Sequence, residues 1–71
     1  MNKKMLRTLV DLCGNEIGAV TIEIFKEHYP PSPKTASDVR TLRNLGYISF
    51  EYADDEISDI VVKNKAVDYF K

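Results

Sequence analysis

The spacing of apolar residues changes at Gly46, and this change constrains the fold more than any other feature of the chain. Before Gly46, apolar residues recur at helical spacing, at Ala36, Val39, Leu42 and Leu45. After Gly46 the period becomes two, so that Ile48, Phe50 and Tyr52 point to one side of a strand. The sequence therefore predicts a helix near residues 33–45, followed directly by β structure.

That β structure is predicted to be an antiparallel hairpin over residues 47–63, with Asp54 and Asp55 at its turn. Ile60 and Val62 alternate on the return strand, whereas Ile57 falls out of their register. This mismatch predicts a β-bulge near Ser58 and Asp59. The residues expected to be buried together are Val39, Leu42, Ile48, Phe50, Ile60 and Val62. The four tyrosines and three phenylalanines are also expected in the core, with Tyr47 and Tyr69 half exposed.

Three more helices are predicted, near residues 3–12, 21–29 and 65–70. Their starts are marked by side chains that accept hydrogen bonds from a first helical turn, namely Asn2, Thr21 and Asn64, and Ser32 does the same for the helix near 33–45. Gly14 is the expected stop of the first helix, because glycine accepts a left-handed conformation. The segment 18–20 is too short to be assigned from its own sequence, although it could be a short strand that forms one rung of a sheet.

Length and composition indicate one folded domain covering residues 1–71. With 44% hydrophobic and 30% charged residues, the chain is neither disordered nor a membrane segment, and no apolar run approaches the roughly 20 residues that span a bilayer. A single cysteine forms no internal disulfide, so the reducing cytoplasm is the expected compartment. A net charge of −1 is not that of a generic nucleic-acid binder.

Three groups of residues carry a resemblance to a known family: Val39, Leu42 and Leu45 through Ile48; Ile60 through Lys65; and Tyr69 with Phe70. They resemble the ending of the winged helix–turn–helix domain of many small bacterial and phage regulators, and the match covers most of the chain from Thr21 onward. Lys63 and Ala66 stand where that pattern usually has threonine and glycine. The resemblance implies an α+β fold with a three-helix core, a two-stranded antiparallel wing and a short C-terminal helix.

In DNA-binding members of this family, the helix after the turn enters the major groove of double-stranded DNA. By position, the reading face here consists of Lys34, Ser37, Arg40, Thr41 and Asn44. Arginine can fork onto guanine and asparagine onto adenine, so these residue types suit a small transcriptional regulator. The alternative is that they form only the solvated face of an amphipathic helix.

The expected wing is acidic, with Glu51, Asp54, Asp55, Glu56 and Asp59. Carboxylates repel DNA phosphates, whereas proteins gain sequence-independent affinity from lysine and arginine. A second hypothesis is therefore a protein–protein interaction module whose residues Glu51, Asp54, Asp55 and Glu56 contact a basic partner. A third is that these charges only keep a sheet edge soluble.

No residue pattern points to an enzyme, a cofactor or a metal. Cys13 is expected to be a small buried hydrophobe, and His28 to lie at the end of a helix. The acidic turn lacks the spacing of a calcium-binding loop. An apolar surface along the first or the last helix could pair two copies, and the first helix, residues 3–12, is the better candidate for a homodimer because it carries more apolar residues than one face needs. The apolar residues in this helix and directly after it are Met5, Leu6, Leu9, Val10, Leu12 and Cys13.

Overall fold

A computed structural model describes residues 1–71 as an α+β domain with four helices and a three-stranded antiparallel sheet. In chain order the elements are α1 (Lys3–Leu12), β1 (Gly18–Thr21), α2 (Ile22–His28), α3 (Pro33–Asn44), β2 (Ile48–Ala53), β3 (Glu56–Val62) and α4 (Asn64–Tyr69). The order is compatible with a winged-helix layout. None of the helices has the length and apolar character needed to cross a bilayer.

Three of the four predicted helix caps are confirmed. The side chains of Asn2, Thr21 and Ser32 each accept a hydrogen bond from the backbone N–H three residues later, over 2.9, 3.3 and 3.0 Å. The prediction for Asn64 is wrong, because α4 already includes it and Lys63 takes the cap position without a side-chain bond. The reason is that the Lys63 carbonyl accepts the first helical hydrogen bond, from the N–H of Val67 over 3.3 Å, so the helix begins one residue earlier than predicted.

The predicted antiparallel hairpin is present as β2 and β3, and β1 adds a third strand that was not part of the predicted wing, so the sheet order is β1-β3-β2. β1 pairs antiparallel with β3, from Gly18 opposite Val62 to Thr21 opposite Asp59. Four residues are too few to show a period of two in the sequence. β1 is a strand because the free edge of β3 supplies its hydrogen-bond partners.

The turn and the bulge of the β2–β3 hairpin are both confirmed. Asp54 and Asp55 have φ of 51° and 65°, and positive φ at both central residues is the mark of a type I′ turn. Asp59 pairs with Glu51 but Ile57 pairs with Tyr52, so Ser58 is the extra residue of the bulge. The Ser58 hydroxyl donates to the carbonyl of Glu51 over 3.3 Å.

The core lies between the helices and one face of the sheet. Its buried side chains are Met5, Leu6, Leu9, Val10, Val20, Phe25, Leu42, Ile48, Ile60, Val62, Ala66 and Val67. Four of the six predicted core residues are therefore confirmed, whereas Val39 and Phe50 are only partly buried against this cluster. The core assignment of Tyr52 is wrong: its side chain is 59% exposed, because the outer half of the hairpin extends beyond the helices.

Helix α1 directs its main apolar side chains into the core of its own domain. Met5, Leu6, Leu9 and Val10 are at most 1% exposed. Leu12 is 40% exposed and Cys13 is partly buried. α1 thus offers a second copy less apolar surface than its sequence indicates, and the homodimer stays a prediction.

Candidate nucleic-acid interface

The five residues predicted to read DNA lie on one outward face of α3. The rotation of this helix is fixed on its inner side, where Leu42 is fully buried. Its start is fixed by the Ser32 cap and by Pro33 at the first helical position. Ser37, Arg40 and Asn44 are exposed on the side away from the core, Thr41 there is partly exposed, and the exposed Lys34 lies at the margin of this face.

The polar side chains of this face differ in how far they are already bonded. Thr41 donates its hydroxyl to the backbone carbonyl of Ser37 over 3.0 Å, within the same helix. The Asn44 side-chain oxygen accepts a hydrogen bond from Arg43 over 3.3 Å. For Asn44 to fork onto a base with both its oxygen and its amide, Arg43 must first release that oxygen. Among the uncharged side chains of this face, the unbonded donors are therefore the hydroxyl of Ser37 and the amide N–H groups of Asn44.

The three cations of α3 are in different electrostatic states. Lys34 pairs with Asp38 over 3.1 Å, one helical turn away on the same helix. The guanidinium of Arg43 lies 5.1 Å from the centre of the Phe50 ring, in a cation–π contact. Arg40 is exposed and makes no salt bridge, side-chain hydrogen bond or cation–π contact. Arg40 is thus the cation of α3 most available to a phosphate or a base.

Arg43 and Asp38 also lie on α3, but they were not among the five residues predicted to contact DNA. Arg43 links α3 to β2 through Phe50, a contact between elements that a single helix pattern does not encode. Asp38 accepts hydrogen bonds from Asn2 and Lys34, which in that order hold the pKa of its carboxyl below the usual value. The spacing of Lys34 and Asp38, four residues apart on a helix, is the signal that identifies their pairing.

The end of the hairpin is acidic, whereas the exposed charges of α3 are mostly basic. Glu51, Asp54, Asp55 and Glu56 are all exposed, and none of them has a basic partner. Asp59 is partly buried and accepts a hydrogen bond from the Ser58 hydroxyl over 3.0 Å. The tip of the hairpin therefore presents uncompensated negative charge.

Cys13 does not have the character of an activated nucleophile. Its thiol is partly buried, and this burial raises its pKa, which disfavours the reactive thiolate. Histidine, cysteine and acidic side chains form no group of three that would hold a metal ion.

Comparison of the chain with protein-family models, curated proteins and solved structures returns no match. The outward face of α3 and the acidic hairpin tip are thus the features from which function is inferred. They differ in charge, and they call for different partners. A basic helix face suits an anionic polymer, whereas an acidic tip suits a cationic surface.

Proposed function

We propose that this chain is a winged-helix DNA-binding protein, a small transcriptional regulator whose helix α3 enters the major groove of double-stranded DNA. The observation that carries the proposal is Arg40, an exposed arginine on the outward face that has no intramolecular partner. Ser37, Thr41 and Asn44 lie on the same face of the helix, and their side chains can bond phosphates or base edges. The major groove of B-DNA is wide enough to admit an α-helix.

The way α3 is held supports this role, since a recognition element has to be rigid. Leu42 fixes one side of the helix in the core. Arg43 contacts Phe50 of β2, and the Lys65 ammonium of α4 donates to the carbonyl of Leu45 at the end of α3. Packing and polar contacts thus hold the helix from three sides and leave its outward face open.

The hairpin is not proposed as a clamp on the DNA backbone. Its four exposed carboxylates act against binding wherever they lie within about 8 Å of a phosphate at physiological salt. We assign it the role of a spacer or of a surface for a protein. DNA affinity then comes from α3, with Lys34, Ser37, Arg40, Thr41 and Asn44 as its contacts.

Selection from a pool of random duplexes tests the proposal. The wild-type protein is expected to enrich a short sequence motif. Arg40→Lys keeps the charge but loses the fork that matches guanine, so it is expected to lose preference at one position while retaining affinity for DNA in general. Enrichment of an unchanged motif by both Arg40→Lys and Arg40→Ala would show that Arg40 reads no base.

A second candidate function is favoured by the unpaired carboxylates of the hairpin. In that case the domain is a protein-interaction module, and Glu51, Asp54, Asp55 and Glu56 contact a basic surface. Substituting Asp54→Asn, Asp55→Asn and Glu56→Gln together is then expected to abolish capture of the partner, whereas Arg40→Ala leaves it intact. The opposite dependence supports DNA binding through α3.

A further inference from the structure

Asn2 joins the start of α1 to the middle of α3 through the oxygen and the nitrogen of its side-chain amide. Its oxygen accepts from the Met5 N–H over 2.9 Å and caps α1. Its amide nitrogen donates to the carboxylate of Asp38 over 3.0 Å. Asp38, with a side chain only 20% exposed, is therefore held in place by a residue 36 positions earlier in the chain.

The same carboxylate oxygen of Asp38 also receives the ammonium of Lys34, over 3.1 Å. The two partners are held differently, because Asn2 is tied to α1 by its cap whereas the Lys34 side chain is 83% exposed. Exposed pairs of this kind exchange readily with solvent and other ions. Lys34 is therefore the mobile member of the group, and Asp38 is the fixed one.

We propose that Asp38, fixed by Asn2, is an internal competitor of DNA for Lys34, and that this residue sets how tightly α3 binds duplex phosphates. The inference rests on the proposed function and assigns a positioning residue to it. A phosphate that binds Lys34 must replace a carboxylate that stays next to it. Lys34 and Asp38 together present no net charge, so Arg40 carries most of the attraction of this face.

The consequence for affinity follows from counterion release. Each cation that neutralises a phosphate adds about 0.9 to the steepness with which the logarithm of the binding constant falls with the logarithm of salt concentration. With Asp38 in place, Lys34 contributes only part of such a unit. Without the carboxylate, Lys34 becomes a full contact, and the binding curve becomes both tighter and steeper in salt.

Asp38→Asn is the variant that tests this, since asparagine has the same shape and its oxygen still accepts from Asn2. We expect it to bind duplex DNA several-fold more tightly than wild type at low salt, with a slope steeper by up to about one unit. Asp11→Asn is the matched control. It removes the same charge from another four-residue pair, Arg7 with Asp11 at 3.2 Å on α1, and is expected to change affinity less than twofold.

Lys34→Gln completes a double-mutant cycle. In a protein that already carries Lys34→Gln, Asp38→Asn is expected to lose most of its effect on DNA affinity and on the salt dependence of binding. If Asp38→Asn and Asp11→Asn behave alike while binding still depends on Arg40, the inference is overturned and the proposed function stands. If neither wild type nor Asp38→Asn binds any duplex in an Arg40-dependent manner, the proposed function fails and the inference fails with it.

Discussion

The ammonium of Lys65 donates a hydrogen bond to the carbonyl oxygen of Leu45, the residue that ends α3. The same ammonium lies 4.6 Å from the centre of the Tyr47 ring. A cation at this place offsets the negative end of the helix dipole and satisfies a carbonyl that the helix itself leaves unbonded. Through Lys65, helix α4 fixes the C-terminal end of α3.

Replacing Lys65 with methionine is expected to lower the free energy of unfolding by about 1 kcal/mol, since it removes the charged hydrogen bond and the cation–π contact. Lys63→Met is the matched control, because that side chain is exposed and makes no such contact. Urea denaturation measures both. Equal effects of the two changes would show that the loss comes from net charge alone.

Leu42 and Leu45 give a matched pair on α3 for testing how the helix is oriented. Leu42 is fully buried and Leu45 is 45% exposed. Leu42→Ala is expected to cost about 2–5 kcal/mol, as large-to-small core changes do, and Leu45→Ala less than about 1 kcal/mol. Thermal and urea unfolding report both. A Leu42→Ala protein as stable as wild type would mean that another face of α3 points inward.

The turn of the hairpin holds two aspartates at positive φ, which costs free energy for residues other than glycine. Replacing Asp54 with asparagine and Asp55 with glycine gives the preferred type I′ sequence and is expected to stabilise the domain by about 1 kcal/mol. The control replaces both with alanine, which removes the same charges and is expected to destabilise the domain. Stabilisation by both pairs would point to charge repulsion as the dominant factor.

The bond between Asn2 and Asp38 makes stability depend on pH. The folded state lowers the pKa of Asp38, so this carboxylate contributes stability above the unfolded pKa of about 4, and the contribution is lost as pH falls through the folded pKa. Asn2→Ser keeps the cap of α1 but is too short to reach Asp38. It is expected to raise the pKa of Asp38 and to be less stable than wild type at neutral pH, with the difference fading in acid.

Titration of the Asp38 carboxyl carbon by NMR, in wild type and in Asn2→Ser, measures the pKa change directly. Urea unfolding at pH 7 and below pH 3 measures the linked stability. Identical titration of Asp38 in both proteins would show that Asn2 does not stabilise the carboxylate.

The sequence was sufficient for features that a local pattern determines. The caps of Asn2, Thr21 and Ser32 follow from side chains that bond their own neighbourhood. The bulge at Ser58 follows from a break in alternation. The common face of the candidate DNA contacts follows from the 100° turn of each helical residue. Each of these depends on residues within a few positions of one another.

Features that depend on residues far apart in the chain could not be predicted from the sequence in the same way. β1 is a strand because β3 offers it an edge, and the pairing of the Lys63 N–H with Tyr47 extends the sheet to the residue before α4. The alternation of apolar residues placed Tyr52 on the core side of the strand, but it does not show how deeply a residue is buried. Tyr52 is exposed because the helices do not cover the outer end of the hairpin. In the site, the contact of Asn2 with Asp38 joins residues 36 positions apart, a distance that no local pattern spans.

The salt dependence of duplex binding separates the contribution of the cations on α3 from that of the carboxylates on the hairpin. Wild type is compared with Arg40→Ala and with the combined Asp54→Asn, Asp55→Asn and Glu56→Gln variant, whose asparagines suit the positive φ of the turn. We expect Arg40→Ala to weaken binding and to reduce the slope by about one unit. The hairpin variant is expected to bind as tightly as wild type or more tightly. A folded hairpin variant that loses DNA binding, beside an Arg40→Ala protein that keeps it, would show that the hairpin and not α3 binds the duplex.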